Sequence, residues 1–202
     1  MSAAAVERAT GNRPLTTLAD EIMESRPGYR VEIIGDQILV TPSPDGAHAC
    51  ALTKLMRPFM LAGLDDGETR VVQNFSIWLP DGPEDYATPD LSVIDADYDE
   101  HHVEKNCYDP LVFRLVLEVT SSNWKTDLQT KVAAYADADV PVYVIIDRRH
   151  QRVHVLTSPT QDEYANHRVH APGELVTLPD SIGAKVTLDV EQILKEGQSK
   201  RD

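Results

Sequence analysis

Cysteine is scarce in this chain, and that scarcity removes two classes of protein at once. Cys50 and Cys107 stand in no CxxC or Cys/His spacing, so the sequence encodes neither a disulfide framework nor a structural zinc site, and the usage suits a reducing compartment. Long apolar runs are missing too. No segment approaches the roughly 18 apolar residues of a membrane span, and the start MSAAAVERATGNRP has no run long enough for a signal peptide. The reading is a cytoplasmic protein with no membrane part. Positive charge is the third deficit: 19 lysines and arginines face 33 acidic residues, a net charge of −14. Such a field repels a polyanion unless basic groups gather locally, and it equally suits a site that collects divalent cations through oxygen ligands. A Gly-rich phosphate loop is absent. Ser121 and Ser122 have no nucleophile elbow or paired histidine, which argues against a serine hydrolase.

What is present reads as one domain spanning residues 1–202, long enough to bury a core without disulfides. Residues 1–13 and 196–202 are polar and aperiodic and are expected to be flexible. TTLADEIMESRPG spaces Leu18, Ile22 and Met23 helically behind cap-type threonines and stops at Pro27-Gly28. YRVEIIGDQILVTPSP is two β-rich runs around Gly35-Asp36, a hairpin signal. DGAHACALTKLMRPFMLAG has helical spacing, with Pro58 expected to kink or shorten it. TRVVQNFSIWLP, PDLSVID, LVLEVTSS and VPVYVIIDR read as strands. KTDLQTKVAAYADA, between the last two, is the clearest helix. RVHVLTS, EYANHRVH and ELVTL look like shorter antiparallel strands, and TLDVEQILKE like a final helix. This order predicts an α+β domain with a central mixed β-sheet flanked by helices, one of which crosses from the LVLEVTSS strand to the next.

The LVLEVTSS strand poses a problem. It is apolar on both faces, yet Glu118 sits within it, and a buried carboxylate must be paired, hydrogen-bonded or bound to a cation. Asp90 begins a second strand and Lys131 lies on the following helix, so two carboxylates and an amine are brought together by the predicted order. Carboxylates on neighbouring strands can hold Mg²⁺, which activates water and offsets charge on a phosphoryl oxygen. A lysine beside them can orient that water. The competing readings are a turn aspartate, a strand-end glutamate and a solvated helical lysine. The segment DYDEHHVE also carries Asp97, Asp99, His101, His102 and Glu104, but a charged loop of this kind is ordinarily solvated. Trp78 and Trp124 are candidates for stacking on bases, with packing as the default.

The pattern TPDLSVI followed by LVLEVTSSNWKTDLQTKVAAYADADVPVYVIID resembles the Uma-two family of restriction endonucleases, within the PD-(D/E)xK nuclease superfamily, and the resemblance extends upstream to VEIIGDQILVTPSPDGAH. It implies a restriction-endonuclease-like fold and a metal-dependent endonuclease acting on DNA, with Asp90 and Glu118 as ligands of Mg²⁺ or Mn²⁺. The superfamily lysine falls two residues after that glutamate, where this chain has Thr120; the family pattern moves the amine to the helix and points to Lys131. Glu32 matches a glutamate of the amino-terminal hairpin and His48 a histidine at the start of the next helix. Ser122 and Asp127 match as supporting or helix-capping residues, and Tyr135 shares a helical face with Asp127 and Lys131. Cleavage of both strands would favour a homodimer. A nuclease-derived binding module without turnover, and a metal hydrolase of another phosphoester, are the alternatives.

Overall fold

The computed structural model describes residues 4–6, 13–121 and 124–196. The first half of the chain contains β1 (Ala4–Val6), α1 (Leu15–Ser25), β2 (Arg30–Ile34), β3 (Gln37–Thr41), α2 (Gly46–Leu61), β4 (Thr69–Gln73), β5 (Ser76–Trp78), β6 (Tyr86–Ala87) and β7 (Leu91–Asp95). The second half contains β8 (Cys107–Tyr108), β9 (Phe113–Val119), α3 (Lys131–Asp137), β10 (Val142–Asp147), β11 (Arg152–Thr160), β12 (Glu163–His170), β13 (Leu175–Thr177), β14 (Thr187–Asp189) and α4 (Val190–Glu196). Short 3₁₀ turns and a π-helical turn over Thr126–Thr130 complete the set.

Two six-stranded sheets carry the architecture, in the orders β12-β11-β10-β9-β7-β4 and β1-β3-β2-β6-β5-β8, with β13 and β14 as a separate pair. In the first sheet β9 and β10 run parallel, and α3 forms part of the connection between them. Their neighbours β7 and β11 pair antiparallel, which makes this the expected mixed sheet. The second sheet grows from the β2–β3 hairpin. Its turn residues Gly35 and Asp36 have φ of +60° and +58°, the left-handed values that a two-residue type I′ turn needs. The Asp85 carboxylate accepts the Gly35 N–H at 2.5 Å and so fastens the turn to the loop before β6.

Strands β9 and β10 are buried on both faces, which explains their near-continuous apolar sequence. Leu115, Leu117 and Val119 of β9, with Val142, Val144 and Ile146 of β10, pack with Leu52, Leu55 and Phe59 of α2 and Val190 and Leu194 of α4. Val116, Tyr143 and Ile145 face the other way, toward Ala134, Tyr135 and Ala136 of α3 and toward Ile77 and Leu79. A third cluster joins Leu15 and Ala19 of α1 to Val31 and Ile33 of β2. Successive side chains along β2 and β9 therefore point to fixed, opposite faces, and this alternation positions the site described below.

Four local expectations are revised. Within the amino-terminal segment expected to be flexible, Ala4–Val6 pair antiparallel with Val40–Ile38 of β3. Pro58 does not shorten α2, which continues to Leu61. In TLDVEQILKE the first three residues form β14, and the helix starts at Val190. The threonines at the start of α1 do not cap it. The helix enters through Pro14 without a side-chain cap, and the Glu84 carboxylate supplies the missing acceptor from 68 residues away, at 2.7 Å from Thr16 N and 3.1 Å from Thr16 Oγ1. Glu84→Ala is expected to lower stability by about 1 kcal/mol, the usual cost of losing an N-terminal cap. Thr16→Ala should cost less in the same urea denaturation series, because the backbone bond to Glu84 survives.

Candidate active site

Asp90 and Glu118 are neighbours across a strand pair. Leu91 of β7 pairs with Leu117 of β9 in antiparallel register, and one residue outward on each strand places Asp90 opposite Glu118. The Val119 N–H donates to Asp90 Oδ2 at 2.9 Å and locks that relation. Because Leu117 and Val119 point into the α2 side of the core, Glu118 points to the opposite side, toward α3. The residue is 2 % exposed, so it is not a strand-end glutamate in water.

Lys131 provides the partner. Its Nζ lies 2.7 Å from Glu118 Oε1 and 2.9 Å from Glu32 Oε1, and the residue is 2 % exposed. The Tyr135 hydroxyl, one helical turn on, donates to the same Glu118 Oε1 at 3.0 Å. Lys131 is the first residue of α3, and its N–H closes the preceding π-helical turn on Thr126 O. That turn shifts the helical phase between Asp127 and Lys131, a local irregularity of the kind often found at functional sites. Asp127 belongs to the π-helical turn. Its carbonyl accepts the Tyr143 hydroxyl at 2.9 Å, and the residue lines the cavity.

The β2 strand brings the remaining charges. Val31 and Ile33 face α1, so Arg30 and Glu32 face the cavity together. Glu32 Oε1 accepts the Thr88 N–H at 2.8 Å, and Arg30 Nη2 lies 3.0 Å from Asp90 Oδ1. His48, in the first turn of α2, approaches Asp90 Oδ2 to 3.2 Å through Nε2. Asp45 caps α2 by accepting the His48 N–H at 2.7 Å and fixes where that ring starts. These side chains line one cavity of about 300 Å³, walled at its edge by Tyr29, Ser43, Pro44 and Ser121.

Burial and charge set the protonation of the site. Burial pushes the Glu118 carboxyl up; Lys131 pulls it back, while Asp90 and Glu32 push it further, leaving it at about 7. Burial and the neighbouring Glu118 hold Asp127 well above the ordinary carboxylate value. Asp90 goes the other way: burial opposes its ionisation, but His48, Arg30 and the Val119 N–H more than offset this and hold it well below that value. For Lys131 burial disfavours the charge, and Glu118, Glu32 and Asp127 outweigh it, so the ammonium is held above its ordinary value.

The structure therefore gathers Glu32, His48, Asp90, Glu118, Asp127, Lys131 and Tyr135 around one cavity. Ser122 lies outside the described residues. Thr120, which stands where the superfamily lysine would be, accepts the Arg148 N–H at 3.0 Å and joins the end of β9 to the end of β10. The residue missed in the sequence is Arg30. Its signal was available: it lies two positions before Glu32 on the same strand and so shares its face. The Asp97 to Glu104 loop lies apart from the cavity lining.

Removing Lys131 leaves two buried carboxylates without their cation, and Lys131→Met is expected to cost about 3–5 kcal/mol in thermal or urea unfolding. The raised Glu118 carboxyl binds its proton more tightly in the folded than in the unfolded chain. Stability from this group is therefore greatest below 4.5 and falls as pH rises toward 7. Glu118→Gln removes that dependence. In chelator-treated protein the unfolding free energy of the variant relative to the parent chain should rise across this pH range.

The family model of Uma2, described as "Putative restriction endonuclease", matches residues 19–191. No match is found among curated proteins. Among solved structures the chain is similar to the "putative nuclease belonging to DUF820 from Anabaena variabilis ATCC 29413", with a TM-score of 0.65 and 17% identity over 89% of this chain and 98% of that one. At this identity the likeness establishes the fold, which is α+β and restriction-endonuclease-like. With a family match running from α1 into α4, the chain belongs to the Uma2 family.

Proposed function

We propose that the chain is a metal-dependent endonuclease that hydrolyses DNA phosphodiester bonds at this cavity. The observation that carries the reading is a charge imbalance: Glu32, Asp90, Glu118 and Asp127 place four carboxyl groups around the cavity against the two cations Arg30 and Lys131. A divalent ion balances that count, and carboxylate oxygens are the donors that Mg²⁺ and Mn²⁺ take. Asp90 and Glu118 are the ligands. Glu118 Oε1 is occupied by Lys131 and Tyr135, while its Oε2 has no hydrogen-bond partner among the described residues, so an oxygen remains to be used. Bound there, the ion would supply an acidified water and offset charge on the phosphoryl group.

The chain's own groups do the rest. Lys131 is held as a fixed cation, so it serves to position water and to offset developing negative charge, not to remove a proton. Glu32, anchored by the Thr88 N–H, and Tyr135 keep its ammonium and Glu118 in register. DNA is supported as substrate by a local exception to the acidic surface. Lys125 and Arg149 stand 5.7 and 5.2 Å from the Trp124 ring, His150 meets that ring edge-on, and Arg148 is tied to Thr120 at the end of β9. Cations around an aromatic face suit a phosphate backbone with an unstacked base. The family's printed description and the nuclease title of the solved neighbour agree with this. Cutting both strands of a duplex would employ two copies in a symmetric dimer.

A second reading, a nuclease-derived binding module without turnover, is favoured by one feature. Asp90 already engages Arg30 and the Val119 N–H and lies against His48, and no three His, Cys, Asp or Glu side chains among the described residues form a ready cage for an ion.

Supercoiled plasmid incubated with the purified chain and Mg²⁺ or Mn²⁺ separates the two. Nicking is expected, with losses of about 100-fold or more in Asp90→Ala and Lys131→Ala. Nicking that survives both substitutions refutes the site, and absence of nicking with either ion favours the module. Replacing Lys125 and Arg149 by glutamine should weaken DNA binding uniformly across sequences and reduce the slope of log affinity against log salt by about 1 for each phosphate no longer neutralised.

A further inference from the structure

We infer that the substrate is an unpaired DNA strand, whose bases stack on Tyr29 and Trp124 at the mouth of the cavity while one phosphate enters it, and that fully paired DNA is a poor substrate. This rests on the cavity being the site of phosphodiester hydrolysis and adds which form of DNA reaches it.

The reactive groups lie deep. Glu32, Asp90, Glu118 and Lys131 are each 2 % exposed, and the cavity that leads to them holds about 300 Å³, the lower end of the range for pockets that take one small ligand. A duplex presents its phosphates on a rod that stays stiff over about 150 base pairs. Its second strand and its neighbouring phosphates therefore meet the rim before any one phosphate meets the carboxylates. An unpaired strand bends at each nucleotide and turns one phosphate inward, as chemistry in a closed pocket requires. Arg30 is placed to receive that phosphate. Its Nη2 donates to Asn74 Oδ1 at 2.7 Å and to Asp90 Oδ1 at 3.0 Å, while Nε and Nη1 have no hydrogen-bond partner among the described residues.

Two edges of the cavity carry an aromatic ring beside cations. Tyr29, a lining residue just before β2, has the Arg26 guanidinium 5.9 Å from its ring centre. Trp124 stands three residues beyond Ser121, which also lines the cavity, and chain reach keeps the two within about 11 Å. Lys125 and Arg149 lie 5.7 and 5.2 Å from the Trp124 ring centre. Both rings are half-buried, and the three cations are exposed. Such rings hold bases by stacking. In a duplex the base faces are already stacked on one another, so only an unpaired strand can use them. Charge acts in the same direction. Duplex DNA carries one negative charge per about 1.7 Å of its axis, against about 3.4 Å for one strand. A chain of net charge −14 therefore repels the paired form more strongly.

The test measures binding by the full chain in the presence of chelator, so that it depends on no ion. The probes are a fluorescein-labelled oligonucleotide of about 20 nucleotides without self-complementarity and the same strand annealed to its complement. At equal low salt the single strand is expected to bind about 10-fold or more tightly than the duplex and to quench tryptophan fluorescence, a quench that survives Trp78→Phe and is lost in Trp124→Leu. Trp124→Leu and Tyr29→Leu should each lower single-strand affinity by about 5-fold or more and leave duplex affinity unchanged. With Mg²⁺ or Mn²⁺, a DNA bubble should be cut in its unpaired segment, and supercoiled plasmid should be nicked faster than relaxed plasmid. Duplex bound as tightly as the single strand, with paired arms cut as readily as the bubble, overturns the inference and leaves the endonuclease standing. Single-strand affinity unchanged in both Trp124→Leu and Tyr29→Leu also overturns it, because the rings then take no part. Failure to bind DNA in either form refutes the inference and the DNA reading together. The comparison of the two DNA forms needs no substitution, so the outcome stands even if a variant fails to fold.

Discussion

A single ammonium group ties the molecule's two sheets to its central helix. Lys131 Nζ touches Glu118 on β9 of one sheet and Glu32 on β2 of the other, and it does so from the first residue of α3. Each of the three is almost fully buried. None is tolerable alone in that setting, because an isolated charge removed from water costs far more than the chain's marginal stability allows. Together they form a cluster in which the position of each element is conditional on the other two. Tyr135 and the Thr88 N–H saturate the same oxygens, so the arrangement is directional as well as electrostatic.

The cluster is incompletely neutralised. Lys131 and Arg30 do not balance the carboxyl groups of Glu32, Asp90, Glu118 and Asp127. The consequence is seen in opposite displacements of adjacent carboxyls: Asp90, beside His48 and Arg30, stays ionised, while Glu118 and Asp127 hold protons more tightly than carboxyls in water. Divergent proton affinities among neighbouring groups in a cavity mark sites built for chemistry or for ions. On the proposed function, a cation held at this cavity, together with Lys125 and Arg149 around Trp124, would offset locally the repulsion that the net charge of −14 sets up globally toward a polyanion.

Much of this was legible along the chain. Glu118 stands out because it interrupts an apolar strand, Asp90 because it opens the neighbouring one, and Lys131 because Thr120 occupies the place where an amine was expected. The hairpin at Gly35-Asp36 and the helix between β9 and β10 follow from turn chemistry and apolar periodicity, both of which are local. Features that depended on distant partners were not legible. Thr16 resembled a helix cap, but Glu84 takes that role from another element. The second sheet could not be foreseen, because β1, β6 and β8 are two or three residues long and carry too little pattern to signal a strand. The pairing of Arg30 with Asp90 also depends on how the two sheets approach.

By itself, the sequence determined the identity and order of the charged residues, the alternation that sends Arg30 and Glu32 to one face of β2 and Glu118 to the α3 side of β9, and the helix that carries Lys131. Those properties depend on residue type and on periods of two and about 3.6, which are read over a few positions. Only the tertiary structure decided that the two faces enclose one cavity, that Lys131 is shared by two carboxylates, and that His48 is buried against Asp90. Such contacts join residues tens of positions apart, and their distances follow from the packing of whole elements and not from any local preference of the chain.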